Sequence, residues 1–172
     1  MRYLGVGNIG RALASRMISA GCRVSLFSKK LAQPETRAQK VKDLCLDMAQ
    51  VSICENLFQA CQNAEAIALT LPFDQSTNNL IDIDFVNQLR TGTKVVSVSP
   101  IGIFSKEALK ALHSRADLSV LLDDLESNEL LEVLKVRALR NGFVLEDKAC
   151  KSADCQIAMD SAVFSLLGHL DL

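Results

Sequence analysis

The stretch Gly5-Val6-Gly7-Asn8-Ile9-Gly10 decides the fold. It follows a short apolar run at residues 2–6, which predicts a strand, and it opens residues 8–20, whose apolar side chains recur at helical spacing. In such a turn the first glycine allows a tight bend, the second lets a diphosphate approach the backbone, and the third lets the helix pack on the strand. A plain strand-to-helix bend is the alternative. We predict a dinucleotide site, with the diphosphate held at the positive end of the helix dipole by Gly5, Gly7, Asn8, Ile9 and Gly10.

Strand-like runs alternate with helical patterns along the rest of the chain. Gly21 ends the first helix, as a glycine just past a helix terminus does. The predicted later strands are residues 22–27, 51–53, 66–71, 94–98, 118–122 and 142–145. The predicted later helices are residues 34–50, 56–61, 83–89, 106–114, 127–139 and about 152–170. This order implies parallel strands joined by right-handed crossovers. We therefore expect an α/β fold with a doubly wound parallel sheet (a Rossmann fold), as a single domain over residues 1–172.

Composition narrows the class of protein. The chain has 172 residues with a formal net charge of −1, and 49% of its residues are hydrophobic. These values are typical of a globular domain and give no electrostatic case for nucleic acid or an anionic membrane as partner. The six cysteines form no C-x-x-C pair and the two histidines lie at no ligand spacing, so we expect no metal and a reducing, cytoplasmic location. The N-terminus reaches a glycine too soon for a signal peptide.

The residues after the second predicted strand bear on which dinucleotide binds. An NAD site usually has Asp or Glu there to accept hydrogen bonds from the ribose. This chain has Ser28, Lys29 and Lys30, a hydroxyl and two ammonium groups that would attract a 2′-phosphate. NADP(H) is therefore favoured over NAD(H). The alternative is that the two lysines are a solvated loop pair.

Five further segments carry a resemblance. Residues 63–72 end a strand in Leu-Pro, residues 73–81 contain Thr77 and Leu80-Ile81, and residues 85–98 read as helix, turn and strand. Residues 102–109 end in Glu-Ala-Leu, and 121–123 read Leu-Leu-Asp. In this order they resemble the coenzyme-binding domain of the D-isomer-specific 2-hydroxyacid dehydrogenases. The resemblance implies that Leu71 and Pro72 line the cofactor groove and that a homodimer forms through this domain. It also places Asp123 at the nicotinamide end, although a helix-capping role is the alternative there.

The resemblance departs from the family at its catalytic positions. The family's arginine, which clamps the substrate carboxylate, corresponds to Pro100, and a proline has neither charge nor donor. The family's proton-donating histidine falls near Lys148, and its carboxylate partner falls at Asn128 or Glu129. Lys148 and Glu129 are thus the candidate catalytic residues, with an exposed loop lysine as the alternative for Lys148. Because Met1 stands at the first strand, we expect the family's separate catalytic domain to be missing.

Two classes of function remain. One is an NADP(H)-dependent oxidoreductase that acts on a small carbonyl or hydroxy acid in the cleft at the carboxyl ends of the strands. The other is a non-catalytic cofactor-binding or sensor module, or a subunit that needs a partner chain. A decaying gene product that merely folds is a third interpretation, and it would bind no dinucleotide.

Overall fold

The computed structural model describes residues 1–122, apart from the side chain of Tyr3. Its strands are β1 (Arg2–Leu4), β2 (Val24–Phe27), β3 (Val51–Ile53), β4 (Ala66–Leu69), β5 (Lys94–Ser97) and β6 (Ser119–Leu122). Its α-helices are α1 (Asn8–Ser19), α2 (Lys29–Ala32), α3 (Pro34–Leu44), α4 (Leu57–Cys61), α5 (Ile83–Asn87) and α6 (Lys106–Ser114). Short 3-10 turns occupy Met48–Gln50 and Ile101–Ile103.

The strands form one six-stranded sheet in the order β3-β2-β1-β4-β5-β6. Every pairing is parallel. The chain moves outward in one direction from β1 to β3 and then returns to the other side of β1 with β4. This reversal leaves a crevice at the carboxyl ends of β1 and β4, which is where ligands bind in open α/β sheets. The predicted doubly wound parallel sheet is confirmed.

Both faces of the sheet are covered, as parallel sheets require. All four residues of β4 are buried. Ile67 and Leu69 pack in a core with residues of α4, α5 and α6, whereas Ala66 and Ala68 pack in a second core with residues of α1, α2 and α3. Alternate residues of one strand point to opposite faces of a sheet, so this division follows directly from the backbone. It explains why the strands are mostly apolar, and β4 entirely so.

The end of α1 is built as the sequence predicts. Gly21 has a φ of 80°, in the left-handed region that glycine adopts without strain. The Gly21 amide donates to the Ile18 carbonyl and the Cys22 amide donates to the Met17 carbonyl, each at 2.9 Å. These two bonds form a Schellman motif, which satisfies carbonyls of the last turn and directs the chain back toward β2.

The prediction of one helix over residues 34–50 is wrong. α3 ends at Leu44 because Cys45 takes the left-handed conformation, with a φ of 50°, and a 3-10 turn follows at Met48–Gln50. The apolar spacing continues past this break, which is why periodicity alone did not locate it. α2 was not predicted either, since it is only four residues long.

Several strands are shorter than predicted. β1 ends at Leu4 rather than at residue 6 because Gly5 has a φ of 102°, which no strand residue adopts. The predicted strand at 142–145 and the helices at 127–139 and about 152–170 lie outside the described residues, so the single domain over 1–172 stays a prediction. Within residues 1–122, no helix has the length and apolarity needed to cross a membrane.

Candidate functional site

Only glycine fits at the first position of the turn, because of its backbone conformation and its contact with Thr70. Gly5 has a φ of 102°, and a Cβ placed there would stand 2.5 Å from the Thr70 carbonyl oxygen. Its amide donates to the Phe27 carbonyl at 2.9 Å, which ties the turn to the end of β2. Any side chain at this position would be strained by conformation and by contact.

The third glycine brings α1 against the strand. A Cβ on Gly10 would stand 2.1 Å from the Gly5 carbonyl oxygen and 2.6 Å from the Thr70 hydroxyl oxygen. Both distances are far below van der Waals contact. Gly10 is therefore required for the close approach of helix and strand that the sequence predicts.

The second glycine differs from the other two. A Cβ on Gly7 would meet no atom within 4 Å. Gly7 is the N-cap of α1 and offers no side-chain hydrogen bond there, and the first turn of the helix holds no acidic residue. Amide groups of a first helical turn have no acceptor within their own helix. Gly7, Asn8 and Ile9 are exposed, so the turn presents an open, bare backbone surface that fits a diphosphate.

Thr70 is a residue of this site that the sequence analysis missed. Its hydroxyl donates to the Gly5 carbonyl at 2.8 Å and lies beside Gly10. The sheet register identifies Thr70: Leu4 of β1 pairs with Leu69 of β4, so the residues that follow them, Gly5 and Thr70, must meet. Strand order is needed to find it, and only the fold supplies that order.

The residues after β2 lie in the first turn of α2. The Ser28 hydroxyl accepts a hydrogen bond from the Leu31 amide at 3.2 Å, so it caps this helix. Lys29 and Lys30 are exposed, and the Lys29 ammonium donates to the Ser76 carbonyl at 2.8 Å. No carboxylate occurs between residues 26 and 30. The end of β2 therefore carries two cations and a capping hydroxyl.

The loop that follows β4 is held by its own side chains. The Asp74 carboxylate accepts hydrogen bonds from the Ser76 amide at 2.7 Å and from the Thr77 amide at 3.1 Å. The Ser76 side-chain and backbone donors lower the pKa of Asp74 below its ordinary value. The buried Thr77 hydroxyl donates to the Pro72 carbonyl at 2.7 Å. These bonds fix the loop next to the crevice.

The carboxyl ends of β4 and β5 are joined by a buried serine. The Leu71 amide donates to the Ser99 hydroxyl oxygen at 2.7 Å. The Leu71 side chain is buried in the core, whereas Pro72 is exposed. Pro100 is also exposed and precedes the second 3-10 turn. The structure thus places Pro72 and Pro100 at the carboxyl ends of adjacent strands.

A phenylalanine covers the turn after Pro100. A Cβ on Gly102 would stand 2.6 Å from the Phe73 ring, so the ring packs directly on this glycine. The other side of the ring faces outward, since Phe73 is 53% exposed. This end of the sheet is therefore apolar where the resemblance would place a guanidinium.

The remaining predicted site residues, Asp123, Glu129 and Lys148, lie outside the described residues. Among residues 1–122, no three His, Cys, Asp or Glu side chains lie close enough together to hold a metal ion.

Sheet order, crevice and glycine turn together define a dinucleotide-binding Rossmann domain. Comparison with family models identifies it further. Residues 2–145 match the family described as D-isomer specific 2-hydroxyacid dehydrogenase, NAD binding domain, and the chain belongs to this family. No curated protein sequence matches the chain.

Solved structures share the fold at low sequence identity. The chain is similar to an NAD-dependent formate dehydrogenase from Staphylococcus aureus in complex with NAD, with a TM-score of 0.65, 17% identity, and coverage of 97% of this chain and 47% of that one. It is similar to D-mandelate dehydrogenase of Rhodotorula graminis, with a TM-score of 0.57, 21% identity, and coverage of 75% and 36%. It is also similar to an NAD-complexed D-isomer specific 2-hydroxyacid dehydrogenase of Lactobacillus delbrueckii ssp. bulgaricus, with a TM-score of 0.53, 18% identity, and coverage of 70% and 34%. The chain thus spans between a third and a half of the length of these structures.

Proposed function

We propose that this chain is the cofactor-binding part of an oxidoreductase and that it binds NADP(H) in preference to NAD(H). The observation that carries the binding proposal is the contrast among the three glycines. The space that a Cβ would take at Gly5 and at Gly10 is occupied by neighbouring atoms, whereas the same space at Gly7 is open. The lack of a side chain at this exposed N-cap leaves the amides of the first helical turn accessible to a diphosphate. The diphosphate would lie against Gly7 and the amides of Asn8, Ile9 and Gly10.

The preference for the 2′-phosphate is supported by the charges after β2. A ribose-binding carboxylate would repel that phosphate, and none is present at residues 26–30. Lys29 and Lys30 are exposed and supply positive charge at the same end of the sheet. One ammonium–phosphate hydrogen bond contributes about 1.5 kcal/mol or more, which corresponds to a preference of about tenfold. Two of the similar solved structures are complexes with NAD, so both NADP(H) and NAD(H) have to be tested.

The bound dinucleotide would supply hydride exchange with a small carbonyl or hydroxy acid. At the carboxyl ends of β4 and β5, where the substrate would lie, the chain exposes Pro72, Phe73 and Pro100. None of these three side chains can hold a carboxylate by charge. Their exposure favours a substrate whose recognised part is apolar, or a substrate carboxylate bound by residues beyond 122.

A non-catalytic cofactor-binding module, or a subunit completed by another chain, is the second candidate function. Pro100 is the observation that favours it, since the resemblance places the catalytic arginine there and proline can neither bind nor polarise a substrate. Lys148 is then an ordinary lysine and plays no part in proton transfer.

Two measurements test these proposals. The first is a titration with NADPH, NADP, NADH and NAD, monitored by calorimetry or, for the two reduced cofactors, by their intrinsic fluorescence. It should show saturable binding, with NADPH bound about tenfold more tightly than NADH. Equal or tighter binding of NADH would contradict the cofactor preference. A screen of keto acids and aldehydes then separates the two functions: oxidation of NADPH that Lys148→Ala slows supports catalysis, whereas saturable binding without turnover supports the binding module.

A further inference from the structure

A cavity lies at the amino ends of the strands, on the opposite edge of the sheet from the glycine turn. It has a volume of about 720 Å³. Its walls come from the first residues of β1, β2 and β4 and from the turns that precede β2, β4 and β5. Clefts that hold small molecules have volumes of about 300–1,000 Å³. The cavity is therefore large enough for a small-molecule ligand.

One wall of the cavity is a row of polar side chains. Arg2, Ser25 and Ser52 are paired with one another across β1, β2 and β3. Leu4 and Phe27, two residues further along β1 and β2, pack in the core beside α4. Side chains two residues apart in a strand point to the same face of the sheet. The face that α4 covers is thus apolar in its centre and ends in polar groups at this edge.

The Arg2 guanidinium is held in place by the end of α4. It donates to the Gln59 carbonyl at 2.6 Å and to the Gln62 carbonyl at 2.9 Å. A further bond, at 3.3 Å, goes to the Cys54 sulfur. A guanidinium has more N–H donors than these bonds use, so it can bind a ligand oxygen as well. Because its position is already fixed, little side-chain entropy is lost when a ligand binds.

The other polar side chains of the cavity are available to a ligand. Within residues 1–122, the Ser25 and Ser52 hydroxyls and the Arg23 guanidinium make no hydrogen bond or ion pair. Ser25 is half-buried, so a bound acceptor would satisfy a hydroxyl that otherwise has no protein partner. The Arg90 guanidinium lies 3.5 Å from the Glu65 carboxylate, and both side chains are largely exposed. Exposed ion pairs contribute at most about 1 kcal/mol, so Arg90 can turn toward a ligand at little cost.

The charged side chains of the cavity favour an anion. Three guanidiniums, from Arg2, Arg23 and Arg90, line it together with one carboxylate, from Glu65. Guanidiniums bind phosphate and carboxylate oxygens through paired, charge-assisted hydrogen bonds, and hydroxyls donate to the same oxygens. We propose that this cavity is a second binding site, for a small divalent oxyanion with the chemistry of a phosphate monoester or a dicarboxylate. The site is independent of the proposed cofactor preference, because it shares no residue with the crevice.

Amide chemical shifts of the full chain locate the anion. Inorganic phosphate and succinate are the two probes, each added at constant pH and ionic strength. Saturable changes should fall on Arg23, Ser25 and Ser52. Changes with phosphate alone would identify a phosphoryl ligand, and changes with succinate alone would identify a dicarboxylate.

Substitutions separate a built site from a general attraction to positive charge. Arg23→Met should weaken anion binding about fivefold, and Ser25→Ala should weaken it about tenfold. Glu65→Gln removes the opposing charge and should tighten binding about twofold. Lys110→Met is the matched control: it removes one exposed charge from the middle of α6 and should leave the affinity unchanged.

Three results would overturn this inference. The first is the absence of a saturable change with either probe. The second is an affinity that stays at the wild-type value in both Arg23→Met and Ser25→Ala. The third is a set of changes confined to residues 7–10, which would place the anion on the glycine turn and leave the cofactor proposal standing.

Discussion

Alanine substitutions at two glycines of the same turn should have opposite consequences. In Gly10→Ala the new methyl group would stand 2.1 Å from the Gly5 carbonyl oxygen, whereas ordinary contact begins near 3.4 Å. Helix and strand must then separate by about 1.3 Å, because the Gly5 carbonyl is a backbone group and cannot rotate away as a side chain could. Overpacking costs about 1–3 kcal/mol, and the better helix propensity of alanine recovers at most about 1 kcal/mol.

We expect Gly10→Ala to lose about 2 kcal/mol of stability, at the upper end of that balance because the nearest group, the Gly5 carbonyl, belongs to the backbone. For a chain of this size the melting temperature should fall by about 4–8 °C. Gly7→Ala is the matched control, because its methyl group meets no atom within 4 Å. Its stability should stay within about 0.5 kcal/mol of wild type, while NADPH affinity falls about tenfold or more through the blocked diphosphate approach.

Thermal unfolding followed by circular dichroism, with NADPH titration of each variant, checks both halves of this prediction. A Gly10→Ala variant as stable as wild type would refute the packing argument. A Gly7→Ala variant that binds NADPH normally would refute the assignment of the open position to the diphosphate.

Three further predictions concern stability and reactivity. Thr70→Val leaves the Gly5 carbonyl without its donor and should cost about 1–2 kcal/mol in urea unfolding. Because the hydrogen bond from Arg115 lowers the pKa of Asp117 to about 2, the carboxylate stabilises the fold above pH about 4 and loses that contribution as the pH falls to about 2. The difference in urea midpoint between wild type and Asp117→Asn should therefore be constant above pH about 5 and shrink steadily as the pH falls from about 4 to about 2; a constant difference down to pH 2 would contradict this. Burial raises the pKa of Cys61 to about 12, so its peptide should stay unlabelled by iodoacetamide at pH 8 until urea is added, and rapid native labelling would count against its placement.

The parts of the fold that local chemistry determines were predictable from the sequence. The glycine turn, the Gly21 helix terminus and the mostly apolar strands each follow from a few neighbouring residues. Their existence is confirmed, and even α6 begins and ends where its apolar spacing predicts. The break at Cys45 was not predictable in this way, because no glycine marks the left-handed position.

The contacts that shape the site depend on residues far apart in sequence. Thr70 lies 65 residues from Gly5, and Lys29 lies 47 residues from Ser76. Ser28 shows the same limit in another form. The sequence predicts that the Ser28 hydroxyl contacts the cofactor. The structure shows that this hydroxyl caps α2, a helix too short to be predicted from apolar spacing. Sequence thus indicates which chemistry is present, whereas the strand order determines which groups meet.

The position of the cofactor tests the central claim most directly. Backbone amide shifts of the full chain should be recorded while NADPH is added to saturation. The account predicts that the largest changes fall on Gly7, Asn8, Ile9 and Gly10, and that in Gly7→Ala about tenfold more NADPH, or more, is needed to produce the changes that remain. Saturable binding whose shift changes lie away from this turn, or no change at millimolar NADPH, would contradict it.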